Sequence, residues 1–563
     1  MSESERILRE IECKIIDRHH LNYPLLQRNV NDVILALLRC YGDIVRSLRN
    51  GSIPKDGDDA RHQTANKGFR GLPHCIRWVQ SQCPRLIFVP SPGEQQLSEE
   101  ALELLRWGVE YDPLYNQHTA YSRRINGQRF VEAEVDKGNK TITFLPCENI
   151  DPLFFISQIE AKKADGNRQA SSDLDQELAE RSKAWFQSAN VGQDGILRFD
   201  DKTIASSGVL DAAIEWLQGS CLPELNDSDQ LGNFSAGDLR RVLAAFHISS
   251  LFRTKFEDDS DQRTKNHNGI LTHVLSWRIC KLIDWLHEIT SVDQCKLKSM
   301  LPIFIFDGEP ERVTVAHKPL ILGADNRVFL SPRIFLMLPL SEMVVGALNL
   351  NTDGKGSYDS ISNSIEKGVV RKLTDEIHRE FPQGSQIVSE RTFTLSNDRT
   401  ITPDILLLSA DQSELLVIDV KNATPPFGVG DIANDLKTWS EGWVPQVEQY
   451  VRAFEGQSSI LDQHFNTVND ISPDVMGLIL LRWPFPIPVV IPDNLGAIDW
   501  STLLEHLSSE AKSGSILNLW KWIRERSDLV IVNSLKWVEK ETVIADWTYT
   551  YSVLSPSSRK TTD

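Results

Sequence analysis

Pro403-Asp404 opens an apolar stretch, and 15 positions after Asp404 the triplet Asp419-Val420-Lys421 closes a second one, Leu415-Leu416-Val417-Ile418. Side chains alternate along a strand, so Asp419 and Lys421 share one face while Val420 turns to the core. A neighbouring strand beginning at Asp404 sets a second carboxylate beside them. Hard carboxylate oxygens hold Mg²⁺ and leave positions for water and phosphate, and the lysine can hold the attacking water or offset charge developing on phosphorus. The chemistry implied is metal-assisted phosphodiester hydrolysis. The same residues also allow a plainer reading, a turn at Asp404 and a surface ion pair between Asp419 and Lys421. A similar text pattern, Pro492-Asp493 followed by Glu510-Ala511-Lys512, lies in a polar helical stretch. By contrast, Asp419-Val420-Lys421 ends a run apolar enough for a central buried strand, where a charged cluster is costly unless paired or metal-bound.

Two more elements must position these residues. Glu366 lies in the helical stretch Ile361–Phe381, offset from the apolar positions Ile365, Val369 and Leu373, where it could reach the same cation directly or through water. Downstream, Pro445 suits a first helical turn, and Gln446 and Tyr450, four apart, share a helix face. Between and around them the pattern gives strands Gln386–Leu395, Thr402–Ser409 and Glu414–Asn422, a helical region Asp435–Phe454 and a strand Val475–Trp483. This order, with Glu366, Pro403-Asp404, Asp419-Val420-Lys421 and Gln446…Tyr450, resembles the PD-(D/E)XK nuclease superfamily over about residues 361–485. The Gln-x-x-x-Tyr element is similar to its RecB-like and lambda-exonuclease-like branch.

The resemblance implies a restriction-endonuclease-like αβββαβ core, a mixed sheet flanked by helices. It further implies Mg²⁺ or Mn²⁺ held by Asp404, Asp419, Glu366 and the Val420 carbonyl, with Lys421 positioning or activating water and Gln446 and Tyr450 orienting the substrate. The partner would be nucleic acid, DNA favoured over RNA. Some relatives in that branch carry an iron-sulfur cluster on cysteines after the core; the last cysteine here is Cys295, so none is expected.

The chain has 563 residues, 41% apolar and 25% charged, enough for about two to four folded domains. Its formal charge of −18 excludes a generally basic DNA-coating role, so nucleic acid must be held by a local basic surface. Lys367, Arg371, Lys372, Arg391, Arg399 and Lys437 are candidates for that track, and Arg123, Arg124 and Arg129 with Tyr121 and Phe130 form a second one. The loop Asn422–Asn434, rich in Pro and Gly, leaves the candidate site directly. MSESERILRE lacks the apolar stretch of a signal peptide and the longest apolar stretches are each interrupted, Phe335–Leu350 by Glu342 and Val475–Pro492 by Arg482, so a cytoplasmic protein without membrane contact is expected. No GxxxxGK[ST] loop is present, so any ATP-driven step would come from a partner. The eight cysteines form no CxxC pair and are expected to be reduced, mostly buried thiols. His287-Glu288 lacks the second histidine of a zinc protease and is expected on a helix surface.

The expected organisation is an α/β multidomain chain. An N-terminal α/β module of unknown role spans 1–160, a mainly helical region 161–295, a β-rich connector 296–350, the nuclease core 351–490, and a C-terminal extension of helices and strands 491–563. In the N-terminal module Asn31–Leu48 has helical spacing, and Arg129–Pro146 gives two strands around Asp136-Lys137-Gly138-Asn139. Helices are expected near 205–218 and 236–253, a charged linker at Glu257–Asn268, and a helix at Gly269–Ile289. The expected function is a metal-dependent nuclease of restriction-type or anti-phage defence layout. Its N-terminal half would supply target recognition, a protein-partner or self-association surface, or a sensor. The alternative is a non-catalytic nucleic-acid-binding or scaffold subunit with a nuclease-like fold, and an RNA-directed enzyme would share every site residue.

Overall fold

A computed structural model describes residues 3–49, 57–85, 94–125, 128–146, 190–191, 197–198, 208–264, 273–308, 315–350, 355–381, 384–395, 398–422, 434, 437–455, 458–467, 472–482, 491–508, 515–527 and 535–556. The protein is mixed α/β, with helices and several separate sheets. Expectations for Cys147, Ala161–Ser182 and the body of the Asn422–Asn434 loop lie outside the described residues.

The candidate residues sit on a five-stranded sheet. In chain order its elements are helix α1 (Lys355–Glu380), strands β1 (Gln386–Ser389), β2 (Ile405–Leu408) and β3 (Glu414–Lys421), helix α2 (Val444–Phe454), strands β4 (Asp474–Leu481) and β5 (Leu495–Asp499), and helices α3 (Trp500–Ser508) and α4 (Ile516–Ser527). The strands lie in sequence order, with β1, β2 and β3 antiparallel and β3, β4 and β5 parallel, so β3 is central. Alternation then divides the apolar runs between two faces. Leu415 and Val417 pack with Val447, Val451 and Phe454 of α2, while Leu416, Ile418 and Val420 pack with Val369, Leu373 and Ile377 of α1 and with Leu519 and Ile523 of α4. Both faces are covered, which is why Leu415–Ile418 of β3 is an unbroken apolar run. Gly477 in β4 lets α2 close on the sheet, because a Cβ there would stand 2.8 Å from Val447 Cγ1 and from Val451 Cγ2.

Gln386–Leu395 is not one strand. Glu390 takes φ +52° and donates its N–H to the Asp404 carbonyl at 2.9 Å, so the ladder stops at Ser389, and Phe393–Thr394 pairs with Thr400–Ile401 as a separate ribbon.

The rest of the chain departs from the expected divisions. Helices Val30–Arg49, Gly57–Gln82 and Glu94–Ser122 precede the hairpin Val131–Asp136 with Thr141–Pro146, whose turn is held by Gly138 and Asn139 N–H groups on Asp136 Oδ1. Strand Trp547–Pro556 pairs in parallel with this hairpin, and Ile544, Tyr549 and Tyr551 enter the core of the N-terminal half. The extension 491–563 is therefore divided: 491–527 completes the five-stranded sheet, and 535–556 belongs to the N-terminal half.

The charged linker is corrected over 257–264, the rest of it lying outside the described residues. Helix Ala236–Thr264 runs through Glu257, which is 1% exposed and takes Arg333 Nη2 at 2.7 Å. In place of one helix at Gly269–Ile289, strand Leu275–Arg278 leads into helix Ile279–Thr290; that strand pairs with Arg327–Leu330 in a four-stranded sheet, which the boundary at 295 would cut. Among the described cysteines, Cys75, Cys83 and Cys221 are buried, but Cys13, Cys280 and Cys295 are exposed, so the thiols are not mostly buried. Among the described residues no helix is long and apolar enough to cross a membrane.

Candidate active site

The site forms at the end of β3. Ile405 pairs with Ile418, so the antiparallel register carries Asp404, one residue before β2, toward Asp419. The Asp404 side chain crosses to β3, where Oδ2 accepts the Val420 N–H at 2.6 Å. Asp419 and Lys421 share the face toward α2. Asp419 is 3% exposed, and its Oδ2 lies 2.5 Å from Lys421 Nζ. The ammonium also donates to Gln446 Oε1 at 3.1 Å, and Gln446 Nε2 donates to the Tyr450 hydroxyl oxygen at 2.8 Å. A relay therefore runs from Asp419 through Lys421 and Gln446 to Tyr450, using the four-residue spacing on α2. From the other side, Glu366 Oε1 on α1 accepts the Asn422 N–H at 3.3 Å. All seven expected residues, Glu366, Asp404, Asp419, Val420, Lys421, Gln446 and Tyr450, thus converge on one strand end.

Burial dominates the electrostatics. It pushes the Asp404 carboxyl up to about 7, with the neighbouring Asp419 charge acting in the same direction and the Val420 N–H against it. Burial also raises the Glu366 carboxyl and the Tyr450 phenol. A cluster of acids taken out of water favours either protonation or a cation.

Each carboxylate already has a donor from the chain: Lys421 at Asp419, the Val420 N–H at Asp404 and the Asn422 N–H at Glu366. Among the described residues, no group of three or more His, Cys, Asp or Glu side chains stands in coordinating geometry. What suits a divalent cation is the donor chemistry. Three carboxylates lie in mutual electrostatic reach, and the buried Asp419 Oδ2 is engaged by the Lys421 ammonium.

The proposed phosphate track loses two members. Arg371 Nη2 donates to the Glu224 carbonyl at 3.0 Å, and Lys372 Nζ donates to the Pro223 carbonyl, so both face the N-terminal half. Lys437 lies 3.7 Å from Glu441. In the second track Arg129 pairs with Glu5 and lies over Tyr121 at 3.9 Å and Phe130 is 1% exposed, while Arg123 and Arg124 stay exposed. His287 binds the Val292 carbonyl through Nδ1 at 2.8 Å.

Sequence reasoning missed two residues and their partners. Asn422, 9% exposed, gives Glu366 its backbone N–H and donates Nδ2 to Ser362 Oγ at 3.1 Å. Arg482, 5% exposed, follows β4 and forms a buried ion pair with Glu224. The signal for Arg482 was a charge inside an apolar run, which identifies a buried ion without naming its partner. No family model, curated protein or solved structure matches this chain.

Proposed function

We propose that the protein is a metal-dependent nuclease that hydrolyses phosphodiester bonds, with DNA as the favoured substrate and a restriction-endonuclease-like core built on β1–β5. The observation that carries the reading is the half-buried relay Asp419–Lys421–Gln446–Tyr450 set against Asp404 and Glu366 at the end of the central strand. Asp404, Asp419, Glu366 and the Val420 carbonyl would hold Mg²⁺ or Mn²⁺, which when bound supplies Lewis-acid stabilisation of the reacting phosphate and an acidified water.

The chain's own groups do the rest. Lys421, held between Asp419 and Gln446, presents a fixed positive charge to the phosphate, and that charge gains value as negative charge develops in the transition state. Gln446 Oε1 accepts a hydrogen bond from the Lys421 ammonium and so sets its direction. Tyr450 receives the Gln446 amide, which leaves its own hydroxyl proton for a phosphate oxygen. Asp404 must be ionised to serve as a ligand, so cleavage rises with pH through the neutral range.

The test incubates the full chain with linear DNA, closed circular DNA and single-stranded RNA in Mg²⁺ or Mn²⁺, beside Asp404→Ala and Lys421→Ala. Cleavage that both variants and a chelator abolish supports the reading, and attack on closed circles marks an endonuclease. The second reading, a non-catalytic nucleic-acid-binding or scaffold subunit, is favoured by the donors that already occupy each carboxylate. Nucleic-acid binding without cleavage in any metal would select it.

A further inference from the structure

Arg482 leaves β4 and donates its backbone N–H to the Lys421 carbonyl at 3.1 Å, so the residue after β4 is tied to the catalytic end of β3. Its guanidinium pairs with Glu224, and both side chains are 3% exposed. Glu224 comes from the N-terminal half, from the segment between helices Val209–Ser220 and Ala236–Thr264. The same segment grips α1. The Glu224 carbonyl takes Arg371 Nη2 at 3.0 Å, and the Pro223 carbonyl takes Lys372. A Cβ on Gly368 would stand 2.6 Å from the Glu224 carbonyl oxygen, so only glycine permits this approach. Gly368 is two residues from Glu366, whose carboxylate holds the Asn422 N–H.

The segment is itself rigidly mounted. Arg240, 2% exposed, donates to the carbonyls of Cys221, Leu222 and Leu225 at 3.2, 2.7 and 2.9 Å, and Ser341 Oγ accepts the Leu222 N–H at 2.7 Å. One mounted residue thus meets both elements that flank the site, Arg482 through its carboxylate and α1 through its backbone carbonyl. Packed interiors transmit displacement because they have no slack to absorb it, and a buried charge left without its partner must move or recruit water.

We infer that Glu224 is a positioning residue for the candidate site: the segment 221–229 is a strut by which the N-terminal half holds α1 through Gly368, and the end of β3 through Arg482. The catalytic consequence rests on the nuclease reading above; the mechanical one does not. The strut makes the N-terminal half a structural part of the site, and any partner that displaces this segment acts on Glu366 and Lys421 together.

Hydrogen exchange and steady-state cleavage on the full chain test it, with Glu224→Gln, Gly368→Ala, the conservative Arg482→Lys, and Asp404→Ala as control. Alanine is the better helix former, so Gly368→Ala disturbs the contact without weakening α1 itself. Backbone amides at 419–422 are expected to exchange about tenfold faster in Glu224→Gln and Gly368→Ala, with 405–408 unchanged. Where the wild type cleaves DNA, kcat falls about ten- to a hundredfold while KM stays within about twofold, and Arg482→Lys keeps most of the rate. Faster exchange confined to 221–229, with 419–422 and kcat unmoved, would reduce the segment to a tether and overturn the inference. A wild type that cuts nothing defeats the nuclease reading, and the exchange at 419–422 still decides the strut.

Discussion

Asp404 carries the clearest pH dependence of any residue in the site. Its carboxyl is raised to about 7, first by burial and then by Asp419, so the fold favours the neutral form. The stability this contributes is complete below the ordinary carboxylate range and is lost as pH rises through 7. Without divalent metal the wild type should therefore be less stable at pH 8 than at pH 5. Asp404→Asn should remove about 1–2 kcal/mol of that difference, allowing for solvent screening. Thermal unfolding in chelator at both pH values checks this, and parallel curves for the two proteins would contradict it. Lys421→Met leaves the buried Asp419 oxygen beside no cation, and loss of a buried partner costs about 3 kcal/mol. Denaturant unfolding of that variant at pH 8 measures it. Both carboxylates and the lysine were legible in the sequence because period-2 alternation is a local rule. The Asn422 support of Glu366 was not, since a backbone N–H leaves no trace in residue type.

At the scale of elements, the helix that carries Gln446 and Tyr450 can approach β4 only because residue 477 has no side chain. Gly477→Val would drive methyl groups into Val447 and Val451 and push α2 from the sheet. Overpacking of this kind costs about 1–3 kcal/mol. A lower urea midpoint with an unchanged slope is the expected result, and under the proposed nuclease function weakened cleavage should accompany it because the Gln446–Lys421 contact stretches. The strand β3 was plain in the sequence as an apolar run bounded by polar residues. The break after Ser389 was hidden, because a single positive φ at Glu390 ends a ladder without changing the hydropathy pattern. Leu275–Arg278 was misassigned to a helix for a related reason: four residues are too few for period 2 to outvote the helical spacing that follows.

For the whole molecule, the C-terminal hairpin belongs to the opposite end of the chain. Thr548–Tyr551 pairs with Thr141–Phe144, and Ile544, Tyr549 and Tyr551 are 3%, 0% and 4% exposed. Ending the chain at residue 534 should cost on the order of 5 kcal/mol, the burial of those three side chains. Limited proteolysis of the truncated chain should then cut first within residues 94–146, and an unaltered digestion pattern would refute the coupling.

The sequence by itself determined which residues meet at the end of β3 and most of the helices and strands that carry them. Those features follow from spacing along a few residues, through strand alternation, the helical turn and the cost of burying charge. Only the tertiary structure decided that Glu224 meets Arg482, that Arg371 and Lys372 face the N-terminal half instead of a phosphate track, and which sheet the last two strands complete. The physical reason is that such pairings join residues more than a hundred positions apart, and their energies arise from contact after folding, which no local propensity encodes.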